Sequence, residues 1–127
     1  MPDRSRSVQL ALLWIPVIVN MAAIFVVSGQ SDPPMPADVP DVSLHALAYF
    51  GLTMLLIRAL AGGRWHGVTR ATLVAAVVIA VVYGASDEWH QSFVPNRHPD
   101  WRDLRADAIG AAAAASVVGL WDIIRRL

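Results

Sequence analysis

Four apolar runs separated by short polar stretches organise this chain. The first, Val8–Val27 (VQLALLWIPVIVNMAAIFVV), has the roughly 20 residues that a hydrocarbon core requires of a helix. Leu44–Leu60 forms the second and is closed by Ala61-Gly62-Gly63. The third covers Thr69–Asp87, uniformly apolar as far as Ala85. The fourth runs from Asp103 to Leu120 around the Ala-rich IGAAAAASVVGL. Between the first two, Ser28–Val42 carries Pro33, Pro34, Pro36 and Pro40 among small polar residues, which reads as a loop with little regular structure. Arg4 and Arg6 ahead of the first run also fit a signal peptide. Its apolar stretch is too long for an h-region, however, and SGQSDPP is a poor cleavage site, so a retained span is expected. The predicted fold is an all-α integral membrane protein, a four-transmembrane-helix bundle forming one domain over residues 1–127.

Composition points the same way. Of 127 residues, 56% are hydrophobic and 16% charged, with a mean hydropathy of +0.49. A soluble chain this short could not bury so much apolar surface, so lipid must cover the remainder. There is no cysteine, which excludes disulfides, thiolate metal sites and cysteine nucleophiles. A net charge of zero argues against nucleic acid as a partner.

Arginine placement predicts orientation. Arg4, Arg6, Arg58, Arg64, Arg70, Arg125 and Arg126 fall on one side of the four spans; only Arg97, Arg102 and Arg105 fall on the other. Most of the acidic residues, from Asp32 through Asp107, collect on that arginine-poor side. Both termini and the Arg64 loop should therefore be cytoplasmic, in the cytoplasmic membrane, and the polar segment Tyr83–Gly110 should face outward.

Three helix ends carry the chemistry on the outward face. Asp41, His45 and Tyr49 are spaced four apart at the start of the second span and share one helix face. Tyr83, Asp87 and Gln91 do the same at the end of the third, with Glu88 beside them. Asp103 and Asp107 open the fourth. Asp41, Asp103 and Asp107 read first as caps or solvated residues of helix N-termini. Asp87 and Glu88 lie at a helix C-terminus, where negative charge is disfavoured, so they call for a cation, which Arg97, Arg102 or Arg105 could supply. Glu88 is the leading functional candidate and His45 its acid–base partner. Asp41, Tyr49, Asp87, Gln91, Arg97, Arg102, Asp103 and Asp107 are the expected binding residues. His45 also reads as a hydrogen-bonded structural residue, and Glu88 as half of a structural ion pair.

Elsewhere the polar residues have plainer explanations. Asn20 in the first span suggests an interhelical hydrogen bond, and Pro16 a kink. Gly110 with Ala114, and Ala115 with Gly119, have the small-x-x-x-small spacing of closely packed helices, although an Ala run also reflects helix propensity. His90 and His98 read as interfacial, alongside Trp89, Phe93 and Trp101. Asp and His together can hold a divalent cation, but no ligand spacing is diagnostic of one, and no cofactor is expected.

The order of these motifs resembles the VanZ-like family of small bacterial membrane proteins. The resemblance starts at Asp41-x-x-x-His45-x-x-x-Tyr49-Phe50. It resumes at Tyr83, Asp87-Glu88-x-x-Gln91-x-Phe93, Arg97 and Asp100, and ends with Asp103 and Gly110. It covers about residues 40 to 120. Val42 stands where the family commonly has Lys, and Asp107 where it commonly has Asn, so the charge balance of the site differs. The resemblance implies a membrane protein of the bacterial envelope associated with teicoplanin resistance, without a settled reaction. Three roles are then open. One is an outward site that binds or modifies an envelope lipid, a lipid-linked envelope intermediate or a glycopeptide. The second is a non-enzymatic scaffold or partner-binding subunit. The third is a small transporter, disfavoured because no span carries a carboxylate at its middle.

Overall fold

A computed structural model describes residues 3–127. It contains four long helices, α1 (Arg4–Ser28), α2 (Asp41–Leu60), α3 (Arg70–Gln91) and α4 (Trp101–Ile124), with a 3-10 turn at Trp65–Gly67 between α2 and α3. Each of the four is long and apolar enough to cross a membrane. The fold is the expected all-α, multi-pass bundle, and the proline-rich segment between α1 and α2 has no regular element.

Every helix outruns its apolar stretch at one end or both. Backbone hydrogen bonding carries a helix through polar residues wherever those side chains find partners, whereas an apolar pattern stops at the first of them. So α3 continues past Asp87 to Gln91, and α4 reaches Ile124. The caps also fall elsewhere than expected. Pro40 precedes α2 and offers no side chain to its N–H groups. At α4 the cap is Asp100, which accepts from the Arg102 N–H at 2.9 Å. Asp103 and Asp107 sit inside α4 and are buried, so neither caps the helix nor faces solvent. Thr69 and Thr72 form a reciprocal capping box at α3.

The helices alternate in direction. The ends of α1 and α3 and the starts of α2 and α4 therefore meet at one end of the bundle, where Ser28 touches Asp87 and His45 touches Asp107. At the other end Arg58 donates to the Leu12 carbonyl, and Arg125 lies over the Trp65 ring. The parallel pair α2 and α4 packs most extensively. Gly110 permits this, because a Cβ there would lie 2.1 Å from the Ala46 carbonyl oxygen. Ala111 and Ala114 continue the same fully buried seam. Leu52, Leu56, Val17, Ala76 and Ala80 fill the core. Leu12, Ile18, Val19, Val74, Val82 and Leu120 are each more than half exposed and make the apolar exterior that lipid covers. Helix α1 is the least buried of the four and runs through Pro16 unbroken. It is tied to α3 by the Tyr83 hydroxyl, which donates to the Met21 carbonyl at 2.6 Å.

Candidate functional site

The acidic end of the bundle is built on His45. Because α2 and α4 start at the same end and approach closely at Gly110, their four-residue repeats fall alongside one another. The His45 Nδ1 lies 2.9 Å from Asp107 Oδ1. Its Nε2 lies 3.7 Å from Asp103 Oδ2 and 3.9 Å from Asp41 Oδ2. Helix α3 closes over this pair without a side chain of its own: a Cβ on Gly84 would lie 2.7 Å from Asp107 Oδ2 and 3.3 Å from the Tyr49 ring.

The last turn of α3 adds two more buried carboxylates. Asp87 accepts hydrogen bonds from the Ser28 hydroxyl of α1 and from Gln91 Nε2 at 3.3 Å. Glu88 Oε2 accepts from the Asp100 N–H at 3.0 Å, while its Oε1 is buried with no partner. The Tyr49 hydroxyl is likewise buried and unpartnered. The arginine pairing expected for Asp87 and Glu88 does not form. Among the described residues, arginine makes ion pairs only from Arg125 and Arg126 to Asp122, at the far end. Neutral donors, a serine hydroxyl and a backbone N–H, take the place foreseen for a cation. Four buried carboxylates thus converge, and among the described residues His45, facing Asp103 and Asp107, is the one basic side chain at ion-pair distance from any of them.

Beside this cluster a cleft of about 340 Å³ opens between α1, α2 and α3. Ala23, Ile24, Val27, Leu44 and Ala48 form its apolar walls, and Ser28, His45, Asp87, Gln91 and Arg97 its polar end. Asn20 lies deepest. Its Oδ1 is buried without a partner, so the expected interhelical hydrogen bond is absent and the amide lines the cleft instead. His90, foreseen as an interfacial residue, stacks on Phe25 with ring centroids 4.2 Å apart. Trp89, Phe93 and Trp101 are largely exposed at this end, and His98 is exposed too.

Of the residues singled out from sequence, Asp41, His45, Tyr49, Asp87, Glu88, Gln91, Asp103 and Asp107 come together, with Arg97 at the rim of the cleft. Arg102 does not join them. It is exposed and lines a separate surface groove between α2 and α4, near Arg105, which covers the Trp101 ring at 4.9 Å. Two residues of the site were not foreseen, Ser28 and Gly84. Their only signals were a small polar residue closing an apolar run and a glycine inside a helical pattern.

Residues 19–122 match the VanZ/LLP1 family. The chain belongs to this family. No curated protein and no solved structure matches it. The VanZ/LLP1 match begins within α1 beside Asn20 and takes in α2, α3 and nearly all of α4, so the cleft and the acidic cluster lie inside it.

In this VanZ/LLP1 bundle the cluster and the cleft are chemically complementary. The cleft offers an apolar channel that ends at one cation, Arg97, and at hydrogen-bonding groups. The cluster offers an imidazole oriented by a carboxylate, and a glutamate oxygen that no protein donor occupies. An oriented imidazole beside a carboxylate is a competent proton-transfer pair for any ligand group placed at the rim.

Proposed function

We propose that this protein works at the outer face of the bacterial cytoplasmic membrane, with both termini inside, where it binds an anionic envelope amphiphile. The ligand class is a lipid-linked envelope intermediate, its chain in the cleft and its charged headgroup at Arg97. One observation carries this reading: a single cleft joins apolar walls to a polar end. From Asn20 to Ser28 it follows α1 for about 12 Å at the rise of an α-helix. A freely soluble polar ligand would find no use for those walls, and a plain hydrocarbon none for Arg97. His45 and Glu88, at the same end, are the groups that would move a proton if the headgroup is modified.

Glycopeptide tolerance is the envelope phenotype this reading anticipates. A teicoplanin-sensitive host expressing the wild type should gain tolerance. The same host with Glu88→Gln, at matched membrane levels, should not. Equal tolerance from both would remove Glu88 from the working site, and tolerance from neither would remove glycopeptides from the proposal. The absence of cysteine makes the orientation directly measurable. A single cysteine at Ser31 should react with an impermeant maleimide in intact cells, and one at His66 should not; the reverse pattern would invert the topology.

A non-enzymatic clamp is the second reading. It is favoured by the bond between Ser28 and Asp87 and by that between Asp100 and Glu88, each of which ties one segment to another. Under it, Glu88→Gln should reduce the amount of folded protein rather than its action.

A further inference from the structure

Hydrogen bonding alone leaves His45 unfinished. Its Nδ1 is 2.9 Å from Asp107 Oδ1, and an ionised carboxylate only accepts, so Nδ1 carries a proton. In a neutral imidazole Nε2 is then a bare lone pair. It faces carboxylate oxygens of Asp103 at 3.7 Å and Asp41 at 3.9 Å, both outside hydrogen-bond reach. The three atoms, from two helices, lie within 4.8 Å of one another. Electron-rich atoms held this way repel unless a proton or a metal cation lies between them. At near-tetrahedral angles the two spacings from Nε2 alone correspond to ion contacts of about 2.3–2.4 Å, beyond the roughly 2.0–2.2 Å bonds of imidazole and carboxylate to zinc, so the three side chains would draw in on a bound ion. Asp107 stands where an orienting carboxylate stands behind a metal-bound histidine.

Glu88 supplies an independent observation. It is only 8% exposed, and its Oε1 is buried without a partner. Its Oε2 is anchored on the Asp100 N–H, so the carboxylate lies over the first turn of α4, in the field of Asp103, His45 and Asp107. No arginine is at ion-pair distance from any of these acids among the described residues. A cluster with this excess of buried acceptors calls for a cation that the protein itself does not provide.

We propose that Asp41, His45 and Asp103 bind a divalent transition-metal cation, with Asp107 as the residue that orients His45. The imidazole ligand favours zinc, and the two carboxylates also suit manganese, whereas magnesium and calcium prefer all-oxygen sites. Asp41, with its side chain 54% exposed, leaves one side of the ion open to water. An open position of this kind could also take a headgroup phosphate, an extension that rests on the lipid reading above and falls with it.

The test uses the full-length protein in detergent, stripped by a chelator and shown to be folded by its thermal transition. Mn²⁺ is titrated with the free-ion EPR signal as readout, and Zn²⁺ by calorimetry, with no envelope lipid present, so the outcome is independent of the lipid reading. The wild type should bind one ion per chain. Asp41→Asn, at an exposed position the fold tolerates, should weaken binding at least about tenfold, and Asp107→Asn by about 10–100-fold. Asp122→Asn should leave it unchanged. A folded wild type that binds neither ion would overturn the proposal and assign the gap at Nε2 to a proton. Equal affinity in the wild type and Asp41→Asn would overturn it by locating the ion elsewhere.

Discussion

The two ends of this bundle handle charge in opposite ways. At the end where α1 starts and α4 finishes, arginines do ordinary surface work. Arg125 and Arg126 pair with Asp122 within the last turns of α4, Arg125 also covers Trp65, and Arg58 reaches a carbonyl of α1. Both ion pairs lie at the exposed surface, close to water. At the other end Asp87, Glu88, Asp103 and Asp107 are all buried, yet among the described residues His45 alone is at ion-pair distance, from Asp103 and Asp107, and no arginine is. Burying carboxylates without a matching cation costs stability, so an arrangement of this kind is a poor way to hold helices together. The difference teaches that charge is matched by arginine at one end and by histidine, hydroxyl and backbone N–H groups at the other.

Substitutions can break or sharpen that contrast. The largest effect should come from Gly110→Ala, which drives a Cβ to 2.1 Å from the Ala46 carbonyl in the rigid α2–α4 seam. A loss of about 3 kcal/mol is expected, read as a lowered thermal midpoint in detergent. Gly67→Ala meets the Ala61 carbonyl at the same 2.1 Å but sits in a short turn at the far end, which can shift, so its loss should be smaller. Equal losses would mean that the two ends are equally rigid.

Gly84→Ala comes next. The new methyl would press on Asp107 Oδ2 at 2.7 Å, displacing the carboxylate that orients His45, at a cost of about 1–3 kcal/mol. Activity in the envelope assay should fall further than stability does. Tyr83→Phe removes the bond to the Met21 carbonyl and should cost about 0.6 kcal/mol, the average for an interhelical hydrogen bond in a membrane. Asp122→Asn, which breaks both arginine pairs at the opposite end, should cost less than about 1 kcal/mol and leave activity intact. A larger loss there than at Gly84 would erase the contrast.

The spans were legible because lipid demands long apolar runs, and the meeting of three helix ends followed from strict alternation of four spans. The face shared by Asp41, His45 and Tyr49 was legible from their spacing. What sequence could not supply was the choice of partner. Negative charge at the C-terminus of α3 suggested a salt bridge from Arg97, Arg102 or Arg105. The loop instead turns through Asn96, with φ of 63°, and delivers the Asp100 N–H to the glutamate. The role of Ser28 depends on α1 ending level with Asp87, a register that no local pattern encodes. Gly84 likewise acquires its meaning only from Asp107 on another helix. Asn20 carried the right signal, a polar group in lipid, but its amide lines a cleft rather than bonding to a neighbouring helix.

The central claim is that the acidic end, with Arg97 at its rim, receives an anionic amphiphile. The most direct measurement is equilibrium binding of a polyprenyl phosphate to the purified protein, comparing wild type, Arg97→Gln and Arg64→Gln. Loss of one charge-assisted contact should weaken binding about 10–100-fold for Arg97→Gln, while Arg64→Gln, at the opposite end, binds as the wild type does. Equal weakening by both substitutions, or no saturable binding by the wild type, would contradict the account.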